Sequence, residues 1–267
     1  MSAIPSSPPG PSVAFDRAAG FYDATRGFPP GVAERVAELF VAAGALGPAS
    51  RLLEVGIGTG RIALPLASRV GSYTGVDLSR AMLAELARKA NGAHVRPVRG
   101  DATRLPFLRG VFDAAIGVHV FHLIPGWRAV LAELARVLRP EGLLLHGADD
   151  HVRGEGWASW RRRVEAEIGI ENVGVPRDRI GSFLEEEGWR PAGDARRLRF
   201  SRTLRPSELV ASVRSRLWSM CWRMGDAQVE QAADALRTEL AARFGDLERP
   251  VEVEAGFWVR AHHPPSV

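Results

Sequence analysis

The 267-residue chain holds one cysteine, Cys221, and one lysine, Lys89. A lone cysteine excludes an intrachain disulfide and a cysteine-rich zinc site. It fits a reducing, cytoplasmic setting. No run of apolar residues approaches the roughly 20 that a bilayer-spanning helix needs, so no membrane partner is expected. Residues 1–13 are rich in Pro, Ser and Gly and lack a basic flank ahead of an apolar core. They read as a disordered tail and not as a signal peptide. No spacing of His, Cys, Asp and Glu suggests a metal site. With one lysine, almost all positive charge is arginine. The pI is about 10.1, yet the net charge is only +4. Arginines and acids are interspersed, apart from Arg161-Arg162-Arg163 and the stretch from Arg190 to Arg205. Such runs are first read as solvated faces, so no nucleic-acid partner is expected.

What is present is an alternation of short apolar strands and amphipathic helices. Strands are expected at Arg51–Val55, Ser72–Asp77, His94–Gly100, Phe112–Val118 and Gly142–Gly147. Helices are expected at Gly31–Ala43, Arg61–Arg69, Ser79–Ala90 and Trp127–Leu138. Continuous apolar strands joined by helices predict an α/β, doubly wound, mostly parallel sheet buried on both faces. After Asp150 the rhythm changes. Trp157–Ile170, Arg177–Glu187, Pro206–Met224 and Ala227–Phe244 read as helices, and Leu198–Leu204 and Val251–Ala261 as strands. Helices between the last two strands form a small cap. The expected organisation is one domain over 14–267. Residues 14–48 are an N-terminal helical lid, 49–150 a ligand-binding core, 151–250 a variable region and 251–262 the last strand.

Three motifs carry the chemistry. The first is Glu54-Val55-Gly56-Ile57-Gly58-Thr59-Gly60, where a strand ends, the chain turns on glycines and a helix begins. Glycines let the backbone approach a ligand closely and present amides at a helix start. The dinucleotide fingerprint needs a third glycine where this chain has Arg61. Glu54 beside the loop suits a cationic ligand and would repel a diphosphate. The second motif is Asp77, about 20 residues on, placed to accept from both ribose hydroxyls. The third is Gly100-Asp101-Ala102, where an acid can accept from an adenine amino group beside a small residue.

In this order the motifs resemble the class I S-adenosylmethionine-dependent methyltransferases, and among them the ubiquinone/menaquinone-biosynthesis type acting on small molecules. Phe112 to Leu123 resembles the fourth-strand motif. Leu138-Arg139-Pro140-Glu141-Gly142 resembles the turn before strand five, with Glu141 where the family usually has glycine. The resemblance implies a Rossmann-like, seven-stranded sheet whose last strand is antiparallel. It implies S-adenosylmethionine as cofactor and S-adenosylhomocysteine as product. Glu54 and Gly56 would lie near the methionine part, Ile57, Gly58 and Gly60 would also bind the cofactor, and Leu78 and Met82 would flank the adenosine. Asp101 with Ala102 would hold the adenine, and the backbone from Gly117 through Val118 to His119 would face the methionine end. Tyr22 and Arg26 are lid candidates.

Methyl transfer from a sulfonium needs orientation more than acid–base chemistry. A general base serves only a protonated acceptor. Among His119, His122, His146 and His151, His119 stands nearest the expected methyl position and is the one catalytic candidate. Trp157, Trp160, Trp218 and Trp222 are either acceptor-pocket walls or cap core, with Leu217 and Met220 on the same turns. Alternatives are a protein that holds the cofactor without turnover, an RNA or protein methyltransferase, and an NAD-dependent oxidoreductase. Gly117-Val118-His119-Val120 lacks the Asn/Asp-Pro-Pro-aromatic signature of enzymes acting on base amines. No Pro-Cys nucleophile stands there either.

Overall fold

A computed structural model describes residues 12, 14–150, 160, 164, 174–176 and 179–265. Apart from Ser12, the N-terminal tail over 1–13 lies outside the described residues, as do His151, Trp157 and the Arg161–Arg163 run. Within the helix expected at Trp157–Ile170, only Trp160 and Val164 are described, and both are helical.

Strands β1 (Arg51–Val55), β2 (Ser72–Asp77), β3 (Val95–Arg99), β4 (Phe112–Val118) and β5 (Leu138–Asp150) form the parallel part of the sheet. Their order in space is β3, β2, β1, β4, β5. The chain therefore reverses direction across the sheet between β1 and β4, the crevice where ligands bind in doubly wound folds. Beyond β5 lies β8 (Val251–His263), antiparallel to it. The far edge of β8 pairs with both β6 (Arg190–Pro191) and β7 (Arg196–Leu204). The sheet thus has eight strands where seven were expected. The extra one is the two-residue β6, paired with His262 and His263, which is too short to carry any hydrophobic pattern.

Neighbouring residues on a strand face opposite sides, so two consecutive leucines serve two cores. Leu53 and Val55 join the layer built with α5 (Trp127–Val137) and α6 (Ile180–Glu186). Leu52 joins the layer of α2 (Val32–Gly44), α3 (Ala63–Leu66) and the Leu86 face of α4 (Arg80–Lys89). A third core fills the cap between β7 and β8. It joins α7 (Pro206–Arg214) and α8 (Asp226–Phe244) around Trp160, Trp218, Cys221 and Leu236. Trp160 donates its indole N–H to Ala232 O at 2.9 Å and packs edge-on against Trp218. These two tryptophans are cap core. No helix of the described residues is long and apolar enough to cross a membrane.

Two helices are shorter than expected. The one after the glycine loop is a single α turn, Ala63–Leu66, followed by a 3-10 turn over Ala67–Arg69. The helix from Pro206 stops at Arg214, because Arg216 adopts a left-handed φ of 50°. Arg216 then donates to Met224 O and to Asp226, bracing a 3-10 turn over Ser219–Arg223.

Candidate functional site

The glycine loop is held by its own backbone. Gly56 and Ile57 N–H groups both donate to Val76 O, at 2.8 and 3.2 Å, which ties the loop to β2. Gly56, Gly58 and Gly60 have φ of 71°, 55° and 83°, a region that costs other residues about 1–2 kcal/mol. A Cβ at Gly60 would stand 2.4 Å from Leu86 Cδ1, so this glycine lets α4 pack against the loop. At Gly58 a Cβ would meet nothing nearer than 4.0 Å. That glycine keeps open space beside the loop.

Asp77 closes the loop from the β2 side. Its Oδ2 accepts from Gly58 N–H and its Oδ1 from Ser79 N–H, both at 2.8 Å. Burial pushes this carboxyl up, while the backbone donors pull it down. Each oxygen has a lone pair beyond those bonds, which suits a vicinal diol. Ser79 caps α4 by accepting from Met82 N–H, and its hydroxyl donates to Asp16 Oδ1 at 2.8 Å. The N-terminal segment is thereby laid over the start of α4. A short helix, α1 (Tyr22–Arg26), follows. Its Asp23 accepts from Thr59 Oγ1 in the glycine loop and from the single lysine, Lys89, each at 2.6 Å.

A cavity of about 110 Å³ lies between this segment and the carboxyl ends of the strands. Of the expected residues, Tyr22, Arg26, Gly56, Gly58, Asp77, Leu78, Met82, Asp101, Ala102, Val118 and His119 line it. Glu54, Ile57 and Gly60 do not. Ile57 instead covers β2 where Gly75 leaves room, a Cβ there falling 2.0 Å from Ile57 Cδ1. Glu54 points into the layer beneath and accepts from Tyr73 Oη at 2.7 Å. Burial raises its carboxyl to about 8, so it is protonated at neutral pH. The discrimination against diphosphates expected from its charge therefore has no charged group to act through in this state.

The residues missed by the sequence reading include Phe15, Val120, Leu123, Ile124, Ser219 and, above all, Asp149 at the end of β5. Asp149 takes both Arg61 nitrogens, Nη1 on Oδ2 at 2.7 Å and Nη2 on Oδ1 at 2.6 Å. It also meets His119 Nε2, 2.7 Å from Oδ2. Burial favours its neutral form, but Arg61 and His119 hold the carboxyl well below its ordinary range. Arg61 is desolvated too, yet Asp149 raises its pKa on balance. The guanidinium lies 3.7 Å from the Phe28 ring centroid. The available signal was an acid at the carboxyl end of a parallel strand, which is where the other site acids stand. His122 lines the cavity as well, while His146 is buried under Trp258 and Phe121. Trp222 packs against the N-terminal segment, its ring centroid 4.7 Å from that of Phe15.

Electrostatically the wall is divided. Arg61 and Asp149 neutralise each other. Asp77 and Asp101 leave acid at one end, and Arg26 makes no ion pair among the described residues at the other. Burial lowers the Arg26 pKa, with Tyr22 and Asp149 opposing. The arrangement can hold a nucleoside by its diol and base edge, with a carboxylate-bearing arm toward Arg26. Among the described residues no group of three His, Cys, Asp or Glu could hold a metal ion.

Comparison with known proteins matches residues 52–142 to a methyltransferase domain family. Fatty-acid O-methyltransferase of Mycolicibacterium smegmatis is 44% identical over 98 residues, 36% of this chain and 36% of that protein. Nocamycin O-methyltransferase of Saccharothrix syringae is 36% identical over 182 residues, 64% of this chain and 63% of that protein. The chain thus spans less than two thirds of the length of these relatives. Among solved structures, phosphoethanolamine N-methyltransferase 2 of Haemonchus contortus, in complex with phosphomonomethylethanolamine and S-adenosylhomocysteine, has a TM-score of 0.54. It is 19% identical, over 94% of this chain and 58% of that one.

Proposed function

We propose, from the premise that this chain carries a domain of the class I S-adenosylmethionine-dependent methyltransferase family, that it transfers a methyl group to a small-molecule acceptor. The relatives act, by their names, on molecules as varied as fatty acids and nocamycin, and none of these points to a ubiquinone-type subgroup. The observation that carries the reading is Asp77. It is locked by Gly58 and Ser79 N–H groups at the mouth of the glycine loop, with acceptor capacity left for a ribose diol. S-adenosylmethionine, when bound, supplies a methyl group already activated on a sulfonium.

The chain's own residues supply position. Asp77 holds the ribose, Leu78 and Met82 flank the adenosine, and Asp101 with Ala102 takes the adenine edge. Gly56, Gly58 and Val118 form the low wall of the methionine arm. Arg26 receives the carboxylate of that arm, and Tyr22 closes over it. Glu54, Ile57 and Gly60 act from beneath by fixing the loop. Orientation of this kind is a large share of catalysis for a reaction whose electrophile is preactivated. Residues 14–267 act as one unit, with 14–48 as lid, 49–150 as cofactor core and 151–250 as acceptor-binding cap. The single, buried Cys221 supports a reducing, cytoplasmic setting, and the covered cavity supports a small molecule over a nucleic acid.

The test is to supply S-adenosylmethionine with a panel of fatty acids, phenols, alcohols and amines and to measure S-adenosylhomocysteine. Product above the acceptor-free rate supports the reading. Tight cofactor binding with no product from any acceptor supports a protein that holds the cofactor without turnover.

A further inference from the structure

The 3-10 turn over Ser219–Arg223 belongs to the cap, far along the chain from the glycine loop, yet its first residue lines the cofactor cavity. We propose that Ser219 is a cofactor-binding residue, its hydroxyl donating alongside Arg26 to the carboxylate of the amino-acid arm, and that Trp222 on the same turn positions it. The inference rests on the methyltransferase reading above and deepens it, since the cap then serves the cofactor as well as the acceptor.

The wall facing the arm has donors to spare. Ser219 lines the cavity with Tyr22 and Arg26 of α1. Its hydroxyl makes no hydrogen bond among the described residues. Arg26 makes no ion pair among them either, and Cys221, on the same turn as Ser219, is close enough to act on its guanidinium. A carboxylate taken out of water needs a counter-charge and donors for its remaining lone pairs. It has about four such sites. A guanidinium fork fills two of them, and a hydroxyl from the cap fills a third.

The turn that carries Ser219 is held from both sides. Trp222 Nε1 donates to Arg216 O at 2.8 Å. Arg216, in its left-handed conformation, donates to Met224 O at 3.0 Å and to Asp226 Oδ1 at 2.7 Å. On the outer side the Trp222 ring packs on Phe15, with centroids 4.7 Å apart, and the Arg17 guanidinium lies 5.0 Å from its centroid. Such ring and cation contacts fix an indole in one pose.

This fastening leads to the nucleoside half of the site. Phe15 lines the cavity itself. Its neighbour Asp16 accepts from Ser79 Oγ at 2.8 Å and from Ala81 N–H at 3.1 Å. The Ser79 N–H in turn donates to Asp77, the ribose acid. The tie therefore runs from the cap turn to the residues that hold the adenosine, which places the Ser219 hydroxyl with the cofactor. Ser219 touches the cofactor, and Trp222 acts through it.

The test compares two ligands by calorimetric titration of the full chain. S-adenosylhomocysteine carries the amino-acid arm. Methylthioadenosine keeps the adenosine and the thioether and lacks that arm. Ser219→Ala should weaken S-adenosylhomocysteine by about 10-fold or more, as for a lost hydrogen bond to a charged group, and leave methylthioadenosine unchanged. Equal losses on both ligands overturn the proposal. No loss on either also overturns it, and a raised KM for an acceptor in that variant would place the hydroxyl on the acceptor instead.

For Trp222 the readout is the ratio of the two affinities, which a general loss of stability does not move. Trp222→Ala should lower the preference for the arm-bearing ligand, and Trp222→Phe, which keeps an aromatic ring, should lower it less. The double variant Ser219→Ala/Trp222→Ala should lower it no further than Ser219→Ala alone, because one residue acts through the other. Losses that multiply overturn the positioning role. If Trp222→Ala does not fold, Ser219→Ala still decides. Failure of the unaltered protein to bind either ligand would instead count against the methyltransferase reading.

Discussion

Glu54 and His146 show how burial sets protonation in this molecule. Glu54 has no counter-charge, so burial raises its carboxyl to about 8 in the folded chain, against 4.5 ordinarily. Its favourable contribution is therefore complete below about pH 4.5 and is lost as pH rises through about 8. Glu54→Gln keeps an acceptor for Tyr73 and removes that loss. The variant should gain melting temperature relative to the parent between pH 6 and pH 9, and an unchanged gap would contradict the assignment. His146 behaves in the opposite sense. Burial lowers it to about 3 and His262 to about 4, from 6.5. Both contribute fully above about pH 6.5, and the contribution is lost as pH falls through about 4 and then 3. His146→Leu should flatten the fall of melting temperature between pH 6.5 and pH 4, which a thermal melt series checks. At Asp77 the effect is on binding. Asp77→Ala removes two charge-assisted acceptors, each worth about 1.5–3 kcal/mol. It should weaken S-adenosylmethionine by about 100-fold or more while the protein still melts cooperatively. Unchanged affinity would sink the ribose assignment. Asp77 was legible in the sequence because strand, loop and acid follow in order. Glu54 was legible as a residue but not in direction, since period-2 alternation does not say which face of β1 the cavity lies against. Asp149 was not legible, because its partners lie 88 and 30 residues away.

At the scale of elements, the first five strands were readable because a sheet covered on both faces needs unbroken apolar runs, and the chain has them. Helices were readable where a cap and an apolar stripe coincide, as in α4 with Ser79. Arg216 breaks the helix after Pro206 by a backbone conformation that its residue type does not announce. The lid was visible only as an aromatic cluster, yet its docking is polar. Asp16 bonds Ser79 and Ala81, and Asp23 bonds Thr59 and Lys89. Partly exposed pairs of this sort contribute little to global stability, under about 1 kcal/mol; in the proposed reading they hold the segment over the cavity. Asp23→Ala should leave the melting temperature nearly unchanged and speed cofactor dissociation several-fold in a stopped-flow release experiment. An unaltered off-rate would show that the segment does not gate the cavity. Trp160→Ala tests the cap in the other direction. It empties a fully buried site and breaks the Ala232 bond, so stability should fall by about 3–5 kcal/mol, measured by denaturant unfolding. Cofactor affinity in the folded fraction should be retained.

For the whole molecule, the sheet brings Gly56, Asp77, Asp101, Val118 and Asp149 to one rim because all five stand at or just past the carboxyl ends of parallel strands. That rim is what a parallel, doubly wound sheet builds regardless of ligand. The identity of the ligand lies in the side chains placed on it, acid at the nucleoside end and arginine at the other. The central claim is that this rim binds a sulfonium nucleoside and not a dinucleotide, and calorimetric titration tests it most directly. Binding of S-adenosylmethionine and S-adenosylhomocysteine with micromolar affinity, and no heat from NADH, is the result expected. Heat from NADH with none from the sulfonium cofactor, on protein shown to be folded, would contradict it.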